Sequence, residues 1–230
     1  TYLTPAVGAA AIAVTATGGS NVNSLSIFEG LSLINFNNGI NFIKASLFTV
    51  ADSYFYSAGR SASGITINNT VNGDNGDSSI YNNTFSYLTP AGNVGVVWGS
   101  AGGLRFLNNK CTSLVYCVEI ALVSGLATSD ILIADNSMEG FSTAGITAFR
   151  VGTTGSLFNL QVQGNEFSAG LPNTYGLLIP HDANGLWVTN AVVSGNVWRG
   201  PGSGTNYGFY IDSTAAPIVL LTAAWGPKKV

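Results

Sequence analysis

Charge is what this sequence most lacks. Asp, Glu, Lys and Arg make up 8% of its 230 residues, against roughly a quarter in ordinary soluble domains. The 8 Lys and Arg are scattered, only Lys228 and Lys229 being adjacent, and the net charge is −3, which argues against the clustered basic face that nucleic acid demands. One His and two Cys are too few for a zinc site or a disulfide scaffold. Ser, Thr, Asn and Gly interrupt every apolar run before it reaches the roughly 20 residues of a spanning helix, so no membrane insertion is expected. No charged region precedes the apolar segment 5–14, and the sequence starts at Thr1; a fragment or processed chain is expected rather than a signal peptide. Phosphate loops, nucleophile elbows and redox motifs are missing, so no cofactor is expected.

What the sequence does have is a repeat. LRFLNNKC, ILIADNSM, LQVQGNEF and AVVSGNVW share the pattern apolar-x-apolar-x-x-Asn-x-apolar, carrying Asn109, Asn136, Asn165 and Asn196. Each is followed by a second part, read at Cys117 (CVEI), Gly145 (GITA), Gly176 (GLLI) and Gly208 (GFYI). Further back, 78-SSIYNNTF-85 with 95-GVVW-98, and 48-FTVADSYF-55 with 64-GITI-67, fit the same two parts. Asn83 and Ser53 then occupy the Asn slot, and successive slots from Ser53 to Asn196 lie 30, 26, 27, 29 and 31 residues apart. With 39-GINF-42 and a degraded 25-LSIFEG-30 before them, that makes about seven coils.

Two-residue alternation inside each part means strands with one side in and one side out. One inward column reads Phe55, Phe85, Cys111, Met138, Phe167 and Trp198, and another Val50, Ile80, Phe106, Ile133, Val162 and Val193. The second part supplies Ile40, Ile65, Val96, Val118, Ile146, Leu177 and Phe209. Like residues would stack at one strand spacing, about 4.8 Å. Helical repeats need a 3.6 period that is absent here, and propeller blades need four antiparallel strands per unit. A parallel β-solenoid is the architecture that remains. Its slot asparagines would bond main-chain groups at the turn and one another along the axis, or serve simply as turn residues.

The repeated N-N-x-F, G-N-x-F and G-N-x-W turns and G-I/L/F-x-I strands resemble those of right-handed parallel β-helix proteins. That is the pectate-lyase-like superfamily, which includes many phage tailspikes. The resemblance covers about residues 25 to 212. It implies an all-β, right-handed parallel β-helix, with residues 1–24 as an N-terminal cap or linker. Residues 213–230 break the register and are expected to form a C-terminal cap or intersubunit segment. The implied function is a virion-associated or extracellular spike that binds, and in some members depolymerises, host surface polysaccharide. A structural trimeric stalk without chemistry, or a secreted bacterial hydrolase or lyase, are the alternatives that such a fold leaves open.

The outward positions are unusually apolar. Val97, Leu107, Leu132, Leu178 and Val192 point away from the core, as side-by-side packing in a homotrimer would require. Glycoside hydrolysis needs two carboxylates about 5 to 9.5 Å apart. Glu139 and Glu166 lie on neighbouring coils with a two-residue offset, about 8 Å between Cα atoms, and both point outward. Arg199, one coil beyond in the column of Glu139, would hold an anionic sugar; a surface salt-bridge group is the alternative. The long loops around 168–175, 180–190 and 199–207 carry Tyr175, His181, Asp182, Trp187 and Tyr207, where aromatic faces and polar groups suit sugar binding. No outward column supplies two successive Asp for a calcium-dependent lyase. The segment 72-NGDNGD-77 reads as a turn, without the distal Glu of a calcium loop. No metal site is expected. Cys111 belongs to an inward column, which favours two buried thiols with Cys117 over a bridge.

Overall fold

The structure, a computed structural model, describes residues 2–3, 10–15, 22–58, 62–68, 77–89, 92–99, 102–152, 154–183, 187–200, 207–212 and 219–222. Most of the 72–77 turn, residues 201–206 and most of 213–230 lie outside this set. The described residues contain strands and no helix, arranged in three parallel sheets of eight, eight and nine strands. Each coil gives one strand to each sheet, and the last adds the two-residue strand Val188–Thr189 beside Ser156–Gln163 in the leading sheet. The leading sheet runs into the Asn slot, the short sheet follows it, and the glycine sheet carries the second part. Seven such triplets run from Val22–Glu29, Ser32–Ile34 and Asn38–Ile43 to Ala191–Ser194, Val197–Arg199 and Tyr207–Ile211. Consecutive strands never pair with each other; each bonds the equivalent strand one coil away. This is a parallel β-solenoid, as the repeat predicts.

Terminal segments add strands beyond the seven triplets. Tyr2–Leu3 pairs with the short sheet and Ala10–Thr15 with the glycine sheet, so the stack begins before residue 25. The register that residues 213–230 were expected to break resumes at Val219–Thr222, which pairs with Ala191–Ser194.

The inward columns stack in register. Phe55, Phe85, Cys111, Met138, Phe167 and Trp198 are partnered in that order, and the first five are fully buried. The Phe55 and Phe85 rings stack with centroids 4.9 Å apart. The column from Val50 to Val193 is equally continuous. An apolar axis of this kind is the hydrophobic core of a solenoid, in which each coil buries its inner face only against its neighbours.

The turn between leading and short sheets explains the asparagines. The residue before the slot is left-handed in every coil, and it is Gly30, Asp52, Asn82, Asn108, Asp135, Gly164 and Gly195 in turn. Those residue types enter that region at least cost. The slot side chain then turns inward and bonds along the axis. Asn109 N–H donates to Asn136 Oδ1 at 2.8 Å, Asn136 N–H to Asn165 Oδ1 at 3.0 Å, and Asn165 N–H to Asn196 Oδ1 at 2.9 Å. The amide Nδ2 groups donate along the same line, Asn136 to Asn165 Oδ1 at 2.8 Å and Asn165 to Asn196 Oδ1 at 2.9 Å. Ser53 N–H joins the file by donating to Asn83 Oδ1 at 3.0 Å. One earlier slot escapes the sequence pattern: Leu31, whose N–H donates to Ser53 Oγ at 3.1 Å.

Cys111 and Cys117 are joined in a disulfide, with Cα atoms 5.8 Å apart. This corrects the expectation of two thiols. The register places Cys117 in the column of Gly39, Gly64, Gly95, Gly145 and Gly176. Elsewhere in that column a phenylalanine ring lies over the glycine: Phe85 over Gly64 and Phe167 over Gly145. Where the stack carries Cys111 instead of a ring, the facing position has a side chain to reach it.

Candidate functional site

Outward side chains sort by sheet. On the short sheet, Lys110, Ser137, Glu166 and Val197 form one column, and Thr112, Glu139, Ser168 and Arg199 the next. The predicted pair Glu139 and Glu166 is thus on one solvent-facing surface on adjacent coils, with Arg199 beside them. Each carboxylate has its own cation: Glu166 Oε1 lies 3.0 Å from Arg199 Nη1, and Glu139 Oε2 lies 4.0 Å from Lys110 Nζ. All four side chains are 39–55% exposed, where such pairs contribute about 0–1 kcal/mol.

The five residues of the predicted loop cluster separate into two groups. Trp187 is 3% exposed and sits in the core, with the Arg150 guanidinium 5.8 Å from its ring centroid. Arg150 Nε donates to Asp182 Oδ2 at 2.6 Å, and both side chains are nearly buried. Trp187 and Asp182, both expected at a sugar-binding surface, are thus placed together on Arg150. They belong to a nearly buried ion pair capped by an indole. Arg150 was not singled out in the sequence, because its partners lie one coil away across a loop with no repeat pattern.

Tyr175, Tyr207 and His181 remain at the surface. Tyr175 and Tyr207 occupy one column on the last two coils of the glycine sheet. Their rings stack with centroids 5.8 Å apart and an interplanar angle of 8°. Tyr210, not assigned from the sequence, meets Tyr175 edge-on at 5.7 Å and donates its O–H to Asp212 Oδ2 at 3.4 Å. The Asp212 charge raises the Tyr210 phenol pKa, so the hydroxyl stays a donor. His181 Nδ1 stands 3.5 Å from Asp212 Oδ1, so histidine and aspartate meet through Asp212 rather than through adjacent Asp182. The result is an exposed aromatic shelf edged by an imidazole and a carboxylate.

The shelf continues a charge-poor face. Along the glycine sheet the outward column reads Asn41, Thr66, Val97, Glu119, Thr147, Leu178 and Tyr210. Glu119 is half-buried between Val97 and Thr147, and burial raises its carboxyl pKa. A folded-state pKa above the unfolded one adds stability that is full below the ordinary value of 4.5 and is lost as pH rises through the folded value. Glu119→Gln is therefore expected to melt above the parent at pH 8, the gap closing by pH 4. Equal gaps at both pH values in thermal denaturation would contradict this assignment.

Among the described residues there is no group of three or more His, Cys, Asp or Glu placed to hold a metal ion, and no helix is long and apolar enough to cross a membrane.

Three parallel sheets wound about one axis, with an apolar core and a file of slot amides, define a parallel β-helix. Among solved structures the chain is similar to tailspike proteins of E. coli bacteriophage HK620. A double mutant of that tailspike in complex with a pentasaccharide superposes with a TM-score of 0.54 at 13% identity, covering 86% of this chain and 38% of that one. A second mutant, also in complex with pentasaccharide, gives 0.57 at 11% identity over 100% of this chain and 57% of that one. A further double mutant gives 0.53 at 13% identity, covering 94% and 44%. At such identities the likeness is one of fold, and this chain spans less than three fifths of each neighbour. No protein-family profile matches the sequence, and no curated protein matches it.

Proposed function

We propose that this chain is the β-helical body of a tailspike-like protein that binds surface polysaccharide through the tyrosine shelf. The observation that carries the reading is the near-parallel, stacked pair of half-buried Tyr175 and exposed Tyr207, with exposed Tyr210 across its edge and Asp212 and His181 beside it. A stacked aromatic surface offers a sugar ring an apolar face, while the flanking carboxylate and imidazole bond its hydroxyls. Structural neighbours in complex with pentasaccharide support the same reading. Tyr207→Ala is expected to weaken polysaccharide binding at least about tenfold, the loss of one aromatic stacking partner together with the pairing it supports. Titration calorimetry with purified bacterial surface polysaccharide checks it, and unchanged affinity would remove the shelf from the function.

The assembly in this reading is a homotrimer on a virion. An 8% charged chain with half-buried outward Val97, Leu107, Leu132, Leu178 and Val192 supports side-by-side packing, and sedimentation equilibrium gives the mass. Depolymerisation is the second reading, favoured by the placement of Glu139 and Glu166 on one exposed face on adjacent coils. New reducing ends released from the polysaccharide, and their loss in Glu166→Gln, are its signature. A chain that binds no polysaccharide would instead be a structural stalk.

A further inference from the structure

The leading sheet carries a depression that shares only Leu132 with the apolar outward positions described above. It is an open depression of about 370 Å³ lined by Asp77, Gly103, Arg105, Asp130, Leu132 and Gln161, among others, with both aspartates and the arginine exposed. Leu104 pairs with Ser78 on one side and Ile131 on the other. Asp77, Gly103 and Asp130 therefore share one column on three successive coils, the two aspartates about 10 Å apart at Cα. Gly103 is there for space. A Cβ on it would collide with Asp77 Oδ1 and lie 3.1 Å from the Asp130 carbonyl, so the glycine lets the Asp77 carboxylate lie over the sheet.

The rim is organised before any ligand arrives. Asn159 Nδ2 donates to Asp130 Oδ1 at 3.0 Å, and Asn190 Nδ2 donates to Asn159 Oδ1 at 3.3 Å. The bond from Asn159 lowers the Asp130 pKa, keeping that carboxylate an acceptor. Arg105, Leu132 and Gln161 form the neighbouring column on successive coils. Gln161 Oε1 accepts from Gln163 Nε2 at 3.3 Å. Arg105 is exposed and makes no ion pair among the described residues, although two aspartates line the same depression.

Donors and acceptors thus line one open depression with no ion pair between Arg105 and either aspartate. A hydroxyl accepts from a guanidinium and donates to a carboxylate at once, so a group of hydroxyls joins what the side chains leave apart. Two carboxylates against one guanidinium disfavour an anionic ligand. We propose that the depression over Gly103 is a second saccharide subsite, separate from the tyrosine shelf, taking a neutral hydroxyl-rich pyranose unit. Its ligand class rests on the polysaccharide-binding reading above; its location does not.

The test titrates the whole chain with a panel of purified neutral bacterial O-polysaccharide oligosaccharides of five or six sugars, following side-chain and amide NMR shifts. In the parent, two sets of shifts are expected, one around Tyr207 and one around Arg105. Arg105→Ala should weaken the second set at least tenfold with the first unchanged, and Tyr207→Ala should do the reverse. Arg105 is exposed, and an unaltered melting curve verifies that the variant folds. Arg105→Ala with parental shifts at Asp130 and Gln161 would overturn the subsite and leave the shelf standing. Shifts around Arg105 alone would uphold the subsite and remove the shelf. No response in the parent to any of the panel would overturn both.

Discussion

Asn136→Ala is expected to destabilise the protein by about 3–5 kcal/mol, through several buried polar groups losing partners at about 1–3 kcal/mol each. Asn136 Oδ1 accepts from Asn109 N–H at 2.8 Å and Asn109 Nδ2 at 3.2 Å. Its Nδ2 donates to the Phe106 and Ala134 carbonyls, both at 2.9 Å, and to Asn165 Oδ1 at 2.8 Å. Alanine removes all five contacts at a site that is 2% exposed, where water cannot replace them. For a chain of this size each kcal/mol shifts the melting point by about 2–4 °C, so a drop of about 10 °C is the expected reading in calorimetry. Serine is the informative comparison, because the fold already uses one in the same slot. Ser53 Oγ accepts from Leu31 N–H and donates to the Ala51 carbonyl at 2.6 Å, so Asn136→Ser should lose clearly less than Asn136→Ala. Equal losses would mean that shape, not hydrogen bonding, holds the turn.

Gly64→Ala should cost about 3 kcal/mol, the upper end for forcing extra volume into a packed core. The added methyl would sit 2.7 Å from Phe85 Cδ1 and 2.8 Å from both Phe85 Cε1 and the Gly95 carbonyl oxygen. The ring has little freedom, being stacked on Phe55 and packed beside Phe106, and the carbonyl belongs to the next coil's backbone. Adding Phe85→Leu to Gly64→Ala is expected to recover part of the loss, since the two substitutions share one space. Chemical denaturation of the two singles and the double forms the cycle, and simple additivity would show that ring and glycine do not oppose each other.

These two positions show why the fold was legible in the sequence. Alternation, the Asn slot and the glycine of the second part each report a local requirement that recurs once per coil, so copies reinforce one another. Leu31 carries no signal in the sequence because its contribution is a main-chain N–H, which any residue but proline supplies. The site was less legible for a related reason. Tyr175, Tyr207 and Tyr210 lie in columns and could be placed by counting. Trp187 and Asp182 follow a loop outside the repeat, and only the fold reveals that Arg150 draws them inward. Arg105 and Asp130 belonged to readable columns, yet the notch at Gly103 depends on where the Asp77 carboxylate lies, which periodicity does not encode.

The main-chain bonds of the slots all run one way: each slot N–H donates to the side-chain Oδ1 of the slot in the coil that follows, while the Nδ2 groups also reach back to main-chain carbonyls of the coil before. Such a file has a donating end and an accepting end, like a magnet cut from a longer bar. A complete turn added or removed leaves every link intact, whereas a fraction of a turn severs it. Growth of this molecule along its length is therefore quantised, and a new turn has a single permitted orientation.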